Sequence, residues 1–278
     1  MNNGADLHIH SVFSDGEKTI PQILTSLQDS GVVACSITDH DTILGTLEAL
    51  AERAKYNLEV IPGIELSTHI EEKEYHVLGY FFDVHNDRLL SHVENYRKER
   101  YYRAESILQK LRVLGINVDV EYVQQIAGLS PITRPHIAKA LVQLNVVQDM
   151  QEAFEKFLAD GRPAYSPKTP FPLETAIEMI HEAHGITSVA HPSKSVSKSA
   201  LEKMVAAGID GIEVIHPSHG LKMRKYYKNV AKKYSLLQTG GSDFHGNKGY
   251  DENYLGRFTV PYSFYEKILD YVKKNLEK

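Results

Sequence analysis

The chain has 278 residues, with 31 Lys plus Arg against 36 Asp plus Glu, a formal charge of −5, 14 histidines, one cysteine and no tryptophan. That length is ample for a sizeable buried core, and 42% hydrophobic with 24% charged residues is the make-up of an ordinary globular protein. No apolar stretch approaches the ~20 residues of a membrane span, the opening MNNGADLHIH lacks the basic start and apolar run of a secretory signal, and mild acidity gives no footprint for bulk duplex nucleic acid. The single Cys35 excludes an internal disulfide and fits a reducing cytoplasm, so a cytoplasmic protein is expected.

Residues 5–10 (ADLHIH) alternate apolar side chains with His and read as a strand. Pro21 opens a helix that Gly31 stops. Residues 32–38 (VVACSIT) are a β-branched apolar run, hence a buried strand. Helical spacing follows over 44–56, a strand region over 57–67, and a hairpin turning at Glu71 and Lys73. The pattern changes near Asp87. A long charged helix is predicted over 88–114, then shorter ones in VDVEYVQQIAG, RPHIAKALVQL and MQEAFEKFLAD. The charges of the long helix read as a solvated face held by i,i+4 pairing.

From about Gly161 strands and helices alternate again. LETAIEMIHEAHG is a helix, ITSVAHP (186–192) a strand, SALEKMVAAG a helix and GIEVIHP (211–217) a strand. A helix over 219–234, a strand and loop over 236–245, the strand RFTVP and a helix over 262–275 complete the chain. Alternation on both sides of an all-helical block predicts an α/β barrel or parallel sheet with a helical insertion. The expected parts are 1–86, the insertion 87–161 and 162–278.

The 14 histidines form no run, so their placement matters. His8 and His10 stand two apart in a strand, which puts both imidazoles on one face. Asp15 follows; His40 lies just past the second strand, between Asp39 and Asp41. Glu65 ends the third strand and His76 sits in the hairpin. His191, then Asp243 and His245, follow later strands. C-terminal strand ends are where parallel α/β folds build sites. Imidazole and carboxylate are ligands for Zn, Mn or Fe. One tetrahedral ion takes about four ligands, so this many candidates predicts two or three divalent ions. His69, His85, His92, His181 and His184 lack strand-end placement and read as structural or exposed.

Five segments then stand out together: DLHIHSVFSDG, ITDHDT, GIELS with EYHVLGY, AHP, and GSDFH. They resemble, in order, the motifs of the PHP (polymerase and histidinol phosphatase) superfamily. The resemblance implies a distorted seven-stranded (β/α) barrel with a trinuclear metal site. It implies that His8, His10, Glu65 and Asp243 hold a first ion, that Glu65 bridges to a second completed by His76 and His191, and that Asp15, His40 and His245 hold a third. TRPHIAKAL and YSPKTPFPLETAI resemble segments of the stand-alone members that act on nucleotides, the 3′,5′-nucleoside bisphosphate phosphatases and a 5′–3′ exoribonuclease.

The expected chemistry is hydrolysis of a phosphate ester of a nucleotide or short oligonucleotide by a metal-bridging hydroxide. Cys35, inside an apolar strand, is not a nucleophile on this scheme. His216 and His219 follow a strand and could protonate the leaving group. Arg134 and His136 could reach a second phosphate, with Lys168 and Lys194 as further candidates, so the insertion would act as a substrate-selecting lid. Competing expectations are a phosphatase of another small monoester such as histidinol phosphate, and a metal-binding regulatory module without turnover.

Overall fold

The computed structural model describes residues 4–192, 196–246, 249 and 251–276. Lys194 therefore lies outside the described residues. The described chain forms two compact units, one from residues 1–90 with 170–278 and one from 91–169.

In the first unit, the strands β1 (Gly4–Asp6), β2 (Ala34–Ser36), β3 (Glu59–Ile61), β4 (Gly63–Ile70) and β5 (Lys73–Tyr80) alternate with helices α1 (Ile20–Asp29) and α2 (Leu44–Glu52). Helix α1 starts where expected, with Pro21 in its first turn and the Thr19 N–H donating to Gln22 Oε1 at 2.9 Å. It buries Ile20, Ile23, Leu24 and Leu27, spaced to one face, against Cys35 and Ile37. The long helix α3 (Asp87–Val113) leads into the second unit, which continues through α4 (Val120–Ala127), α5 (Arg134–Gln143) and α6 (Met150–Ala153). Helix α6 passes directly into a wider π turn, Phe154–Leu158, where one continuous helix was expected. This unit has its own apolar core around Leu108, Leu111, Ile137 and Leu141.

The first unit resumes with α7 (Leu173–Glu182), β6 (Ile186–Val189), α8 (Lys198–Ala206), β7 (Gly211–Ile215), α9 (Leu221–Tyr234), β8 (Leu237–Gly240), β9 (Val260–Pro261) and α10 (Tyr262–Leu276). The strands make two sheets, one of four in the order β3-β2-β1-β9 and one of five in the order β4-β5-β6-β7-β8. Parallel pairs join β1 to β2, β2 to β3, β6 to β7 and β7 to β8. The β4–β5 hairpin pairs Ile70 with Lys73, and β5–β6 and β1–β9 are also antiparallel. Among the described residues, nine strands in two sheets thus stand where the family resemblance implied seven in one barrel. Part of the difference lies at Pro62. Lacking an N–H, it interrupts the 57–67 strand region, so that β3 joins one sheet and β4 the other.

Backbone bonds link the sheets at two seams. The Leu7 N–H donates to the Gly240 carbonyl at 3.2 Å and the His10 N–H to that of Phe244 at 2.9 Å. Beyond β2, the Asp41 N–H donates to the Glu65 carbonyl at 2.8 Å. At the first seam only glycine fits position 241, where a Cβ would lie 2.3 Å from the His8 nitrogen. Among the described residues no helix is long and apolar enough to cross a membrane.

Candidate metal centre

Each of the nine expected strand-end residues is carried to one place. His8 and His10 leave β1 on the same side, and both Nε2 atoms lie beside Glu65 Oε2, at 3.2 and 3.1 Å. Asp243 Oδ1 closes this group at 3.3 Å from His8 and 3.2 Å from His10. Glu65, fully buried on β4, presents its other oxygen to His76 Nδ1 and to His191 Nε2, both at 2.9 Å. His40 Nδ1 stands 3.3 Å from Glu65 Oε2, and its Nε2 faces Asp15 Oδ2 at 4.0 Å. His245 Nε2 lies 3.3 Å from the same Asp15 oxygen. Three sets of donor atoms are close enough for each to share an ion: His8, His10, Glu65 and Asp243; His10, Asp15, His40 and His245; and His40, Glu65 and His76.

The backbone is bent to achieve this. Asp41, His191 and Asp243 adopt left-handed φ angles of 53°, 56° and 46°. Non-glycine residues with such angles are held there by their surroundings and gather at functional sites. Asp41 is fixed by Ser67, whose N–H and hydroxyl both donate to its carboxylate at 2.8 Å. Asp39 similarly accepts from the Ser11 N–H and hydroxyl and the Ser14 hydroxyl, at 2.6–2.7 Å, pinning the loop that carries Asp15.

Electrostatics couples the cluster. Burial works against charge on His8, but Glu213, Glu65 and Asp243 outweigh it and raise the imidazole well above its usual range. Burial is likewise overcome at His10 by Asp243 and Glu65, and at His76 by Glu65, both rising to about 10. His40 falls to about 4, because burial is joined by the like charges of His10 and His76. Burial opposes ionisation of Glu65, Asp243 and Asp15, yet the surrounding imidazoles hold all three carboxyls well below the carboxylate range. Acceptor atoms packed at about 3 Å in a dry interior need positive charge among them, as protons or as a cation. A thiolate-free set of imidazoles and carboxylates at mutual distances of 2.9–3.3 Å fits divalent Mn, Fe or Zn.

One residue of this centre was not singled out from the sequence. Glu213, on β7, is fully buried and places Oε1 3.1 Å from His8 Nδ1. An Nδ1–H donated there leaves Nε2, which faces Glu65 and Asp243, as the atom that His8 would offer a cation once its own proton is displaced. Its signal in the sequence is a lone carboxylate in the otherwise apolar strand GIEVI.

The remaining candidates fall in different places. The Ser218 N–H donates to His216 Nδ1 at 3.1 Å, so the proton of the neutral ring sits on Nε2, 3.3 Å from Asp243 Oδ2. His216 therefore belongs to the cluster itself. His219 is buried behind it, stacked on Tyr227 with 5.3 Å between centroids and Nδ1 3.2 Å from the Val214 carbonyl. Burial lowers its pKa. In the helical unit Arg134 donates to Asp160 at 2.9 Å and to the Leu158 carbonyl at 3.1 Å. His136 is the third residue of α5, and its Nδ1 accepts from the Thr133 N–H at 3.1 Å, a capping role. Lys168 lines a small cleft of that unit. Cys35 is buried, and burial pushes its thiol well above the usual range, as expected for an unreactive core residue.

An α/β scaffold that collects imidazoles and carboxylates at its strand ends defines the class of metal-dependent hydrolases. The chain belongs to the PHP domain family, whose profile matches residues 6–162. It is similar to a 5′-3′ exoribonuclease of Haemophilus influenzae, 32% identical over 91% of this chain and 93% of that one. It is 30% identical to a 3′,5′-nucleoside bisphosphate phosphatase of Chromobacterium violaceum, over 86% of each. A solved structure from Bifidobacterium adolescentis, described as a candidate metal-dependent phosphoesterase, superposes with a TM-score of 0.82 at 28% identity, over 97% of this chain and 96% of that one.

Proposed function

We propose that this protein is a metal-dependent phosphoesterase that hydrolyses phosphate esters of nucleotides, such as nucleoside 3′,5′-bisphosphates, or of short oligonucleotides. The observation that carries the proposal is the meeting of His8, His10, His40, His76 and His191 on the two oxygens of Glu65. The similarity to an exoribonuclease and a bisphosphate phosphatase supports the nucleotide class of substrate. We further infer that the two seams close β1, β2 and β4 to β8 into a seven-stranded barrel, with β3 and β9 as extensions.

On this reading His8, His10, Asp15, His40, Glu65, His76, His191, Asp243 and His245 hold two or three divalent ions, of Mn, Fe or Zn. Bound divalent ions acidify water, neutralise phosphoryl oxygens and orient an in-line attack. The chain's own groups do the rest. Glu213 fixes the tautomer of His8. His216 holds a proton at Nε2, next to Asp243, from which a departing alkoxide can be protonated. The buried Nε2 of His219 has no partner among the described residues, so this ring supports His216 from behind. The helical unit takes the task of substrate selection, with Arg134 as its phosphate contact.

The test is a substrate panel: adenosine 3′,5′-bisphosphate, short 5′-phosphorylated RNA and histidinol phosphate, offered to metal-loaded and to chelated protein. Turnover of either of the first two by loaded protein alone is expected. Turnover of histidinol phosphate alone, or of none, overturns the assignment.

A further inference from the structure

Helix α9 departs from the charge balance of the rest of the chain. Over its 14 residues it carries six cations (Lys222, Arg224, Lys225, Lys228, Lys232 and Lys233) and no carboxylate, in a protein of net charge −5. On other helices a lysine meets a carboxylate four residues away, Lys98 with Glu94 at 2.7 Å and Lys198 with Glu202 at 3.7 Å. On α9, among the described residues, no carboxylate stands within ion-pair distance of any of the six. Lys222, Lys225, Asn229 and Lys232 recur at intervals of three and four and form one exposed stripe. Like charges at that spacing repel, and Lys222 and Arg224 occupy the first turn, the end of a helix that disfavours cations. The stripe is unfavourable in the protein alone, and an anion laid along it relieves the repulsion.

Both ends of the stripe offer more than charge. Its start lies at the metal centre: the Arg224 Nε–H donates to the His219 carbonyl at 2.8 Å, and the His219 ring lies 5.4 Å from that of His216. Tyr226, 55% exposed, meets Tyr227 edge-on at 5.0 Å, and Tyr227 stacks on His219, so an aromatic ring is held beside the lysines. The far end opens on a cavity of about 510 Å³ between α9, β8 and α10, lined by Lys228, Lys232 and Lys267 and by no carboxylate. Lys228 and Lys267 each stand 5.9 Å from the centre of the Phe264 ring, so two helices bring cations to one wall. Gln238, on the same cavity, has its Oε1 buried without a hydrogen-bond partner, an acceptor in want of a donor. That volume is in the range of small-molecule sites, roughly 300–1,000 Å³. A nucleotide supplies what the lining asks for: phosphate for the lysines, a ring for Phe264 and an N–H or O–H for Gln238.

We propose that α9 is a track for the phosphate backbone of a single-stranded oligonucleotide, leading from the metal centre to the α9–α10 cavity, which receives one of its nucleotides. The inference rests on the phosphoesterase reading above and deepens it, because α9 then favours strands over mononucleotides. The helix is about 21 Å long, the reach of about six nucleotides at ~3.4 Å each. A strand fits better than an anionic membrane, since a flat surface cannot enter the cavity.

The test uses the full chain, chelated so that a strand is bound and not cut. Fluorescence anisotropy reads the binding of a 5′-phosphorylated, 3′-labelled uridine hexanucleotide to wild type and to Lys225→Gln/Lys232→Gln over a salt series, and thermal melting confirms that both are folded. Each phosphate contact on a single strand releases ~0.7 counterion, worth about fourfold in affinity near 0.15 M salt. Loss of two contacts should weaken the hexanucleotide more than about tenfold and flatten the salt slope by about 1.4. In metal-loaded protein the KM for the hexanucleotide should rise by a similar factor relative to that for adenosine 3′,5′-bisphosphate. No binding by wild type, or equal affinity and slope in the two proteins, overturns the proposal. A variant that loses phosphatidylserine vesicles but keeps the hexanucleotide overturns it too, and gives the face to membranes. If the hexanucleotide binds as expected but loaded wild type hydrolyses no nucleotide, the functional reading falls and the track stands. If nucleotides are hydrolysed and the substitutions leave hexanucleotide binding intact, the track falls and the functional reading stands.

Discussion

Both compact units close over apolar cores, but among the described residues the fully buried carboxylates and imidazoles belong to the sheet unit alone. The helical unit closes over an apolar core around Leu111 and Leu141 and keeps Arg100, Arg103 and Arg134 at its margins, each partly or fully exposed. The sheet unit buries Glu65, Glu213, His8 and His10 completely. Buried ionisable groups are expensive unless paired or metal-bound, so the sheet unit gives up stability for chemistry and the helical unit does not. The contrast teaches where each kind of substitution should act: on metal and turnover at the buried groups of one unit, on substrate affinity at the margins of the other.

The sharpest way to break that division is Asp243→Ala or His10→Ala. Each should lose bound metal and lower turnover by more than ~100-fold, beyond what loss of an outer partner does to a metal site. Elemental analysis beside a phosphate-release assay checks this, and a variant that keeps both would place the site elsewhere. Next comes Glu213→Leu, which leaves His8 without its Nδ1 acceptor. Metal affinity should fall about 10- to 100-fold, while Glu213→Gln, whose amide oxygen can still accept, should recover part of it. A metal titration followed by the ¹⁵N shifts of His8 separates this positioning role from mere packing.

In the helical unit Arg134→Ala should raise KM for a nucleoside bisphosphate about tenfold, the worth of one charge-assisted hydrogen bond, with bound metal unchanged. A normal KM would leave Arg134 as a structural partner of Asp160 only. The smallest effect concerns the outer layer of the sheet unit. His181 Nε2 lies 2.7 Å from Asp210 Oδ2, and that hydrogen bond raises the histidine. Burial opposes ionisation of Asp210, but His181 prevails and lowers it. The His181 contribution is full below its ordinary 6.5 and fades as pH rises through the folded value; that of Asp210 is present above its ordinary 3.8 and lost at lower pH. The melting-temperature gap between wild type and His181→Ala should therefore be widest near pH 5–6 and shrink above neutrality.

Much of the site was legible because metal ligands are few in type and the strand pattern placed them at ends. The His8–x–His10 spacing alone put two imidazoles on one face, and the structure sets both against Glu65. Glu213 was not legible, because a single carboxylate in GIEVI says nothing about which strand interior it enters. The sheet division at Pro62 depends on hydrogen bonds to partners far along the chain, which periodicity does not carry. The π turn after α6 was equally hidden, since its sequence keeps ordinary helical spacing. His136 has a local role that its place beside an arginine did not announce: its Nδ1 caps α5.

The central claim is tested most directly by titrating chelated protein with Mn²⁺ and following, in the same samples, bound metal and phosphate released from adenosine 3′,5′-bisphosphate. The account predicts that turnover is absent at the start, rises with bound metal and saturates at two to three ions per chain. Turnover in the chelated protein, or full metal loading with none, would contradict it.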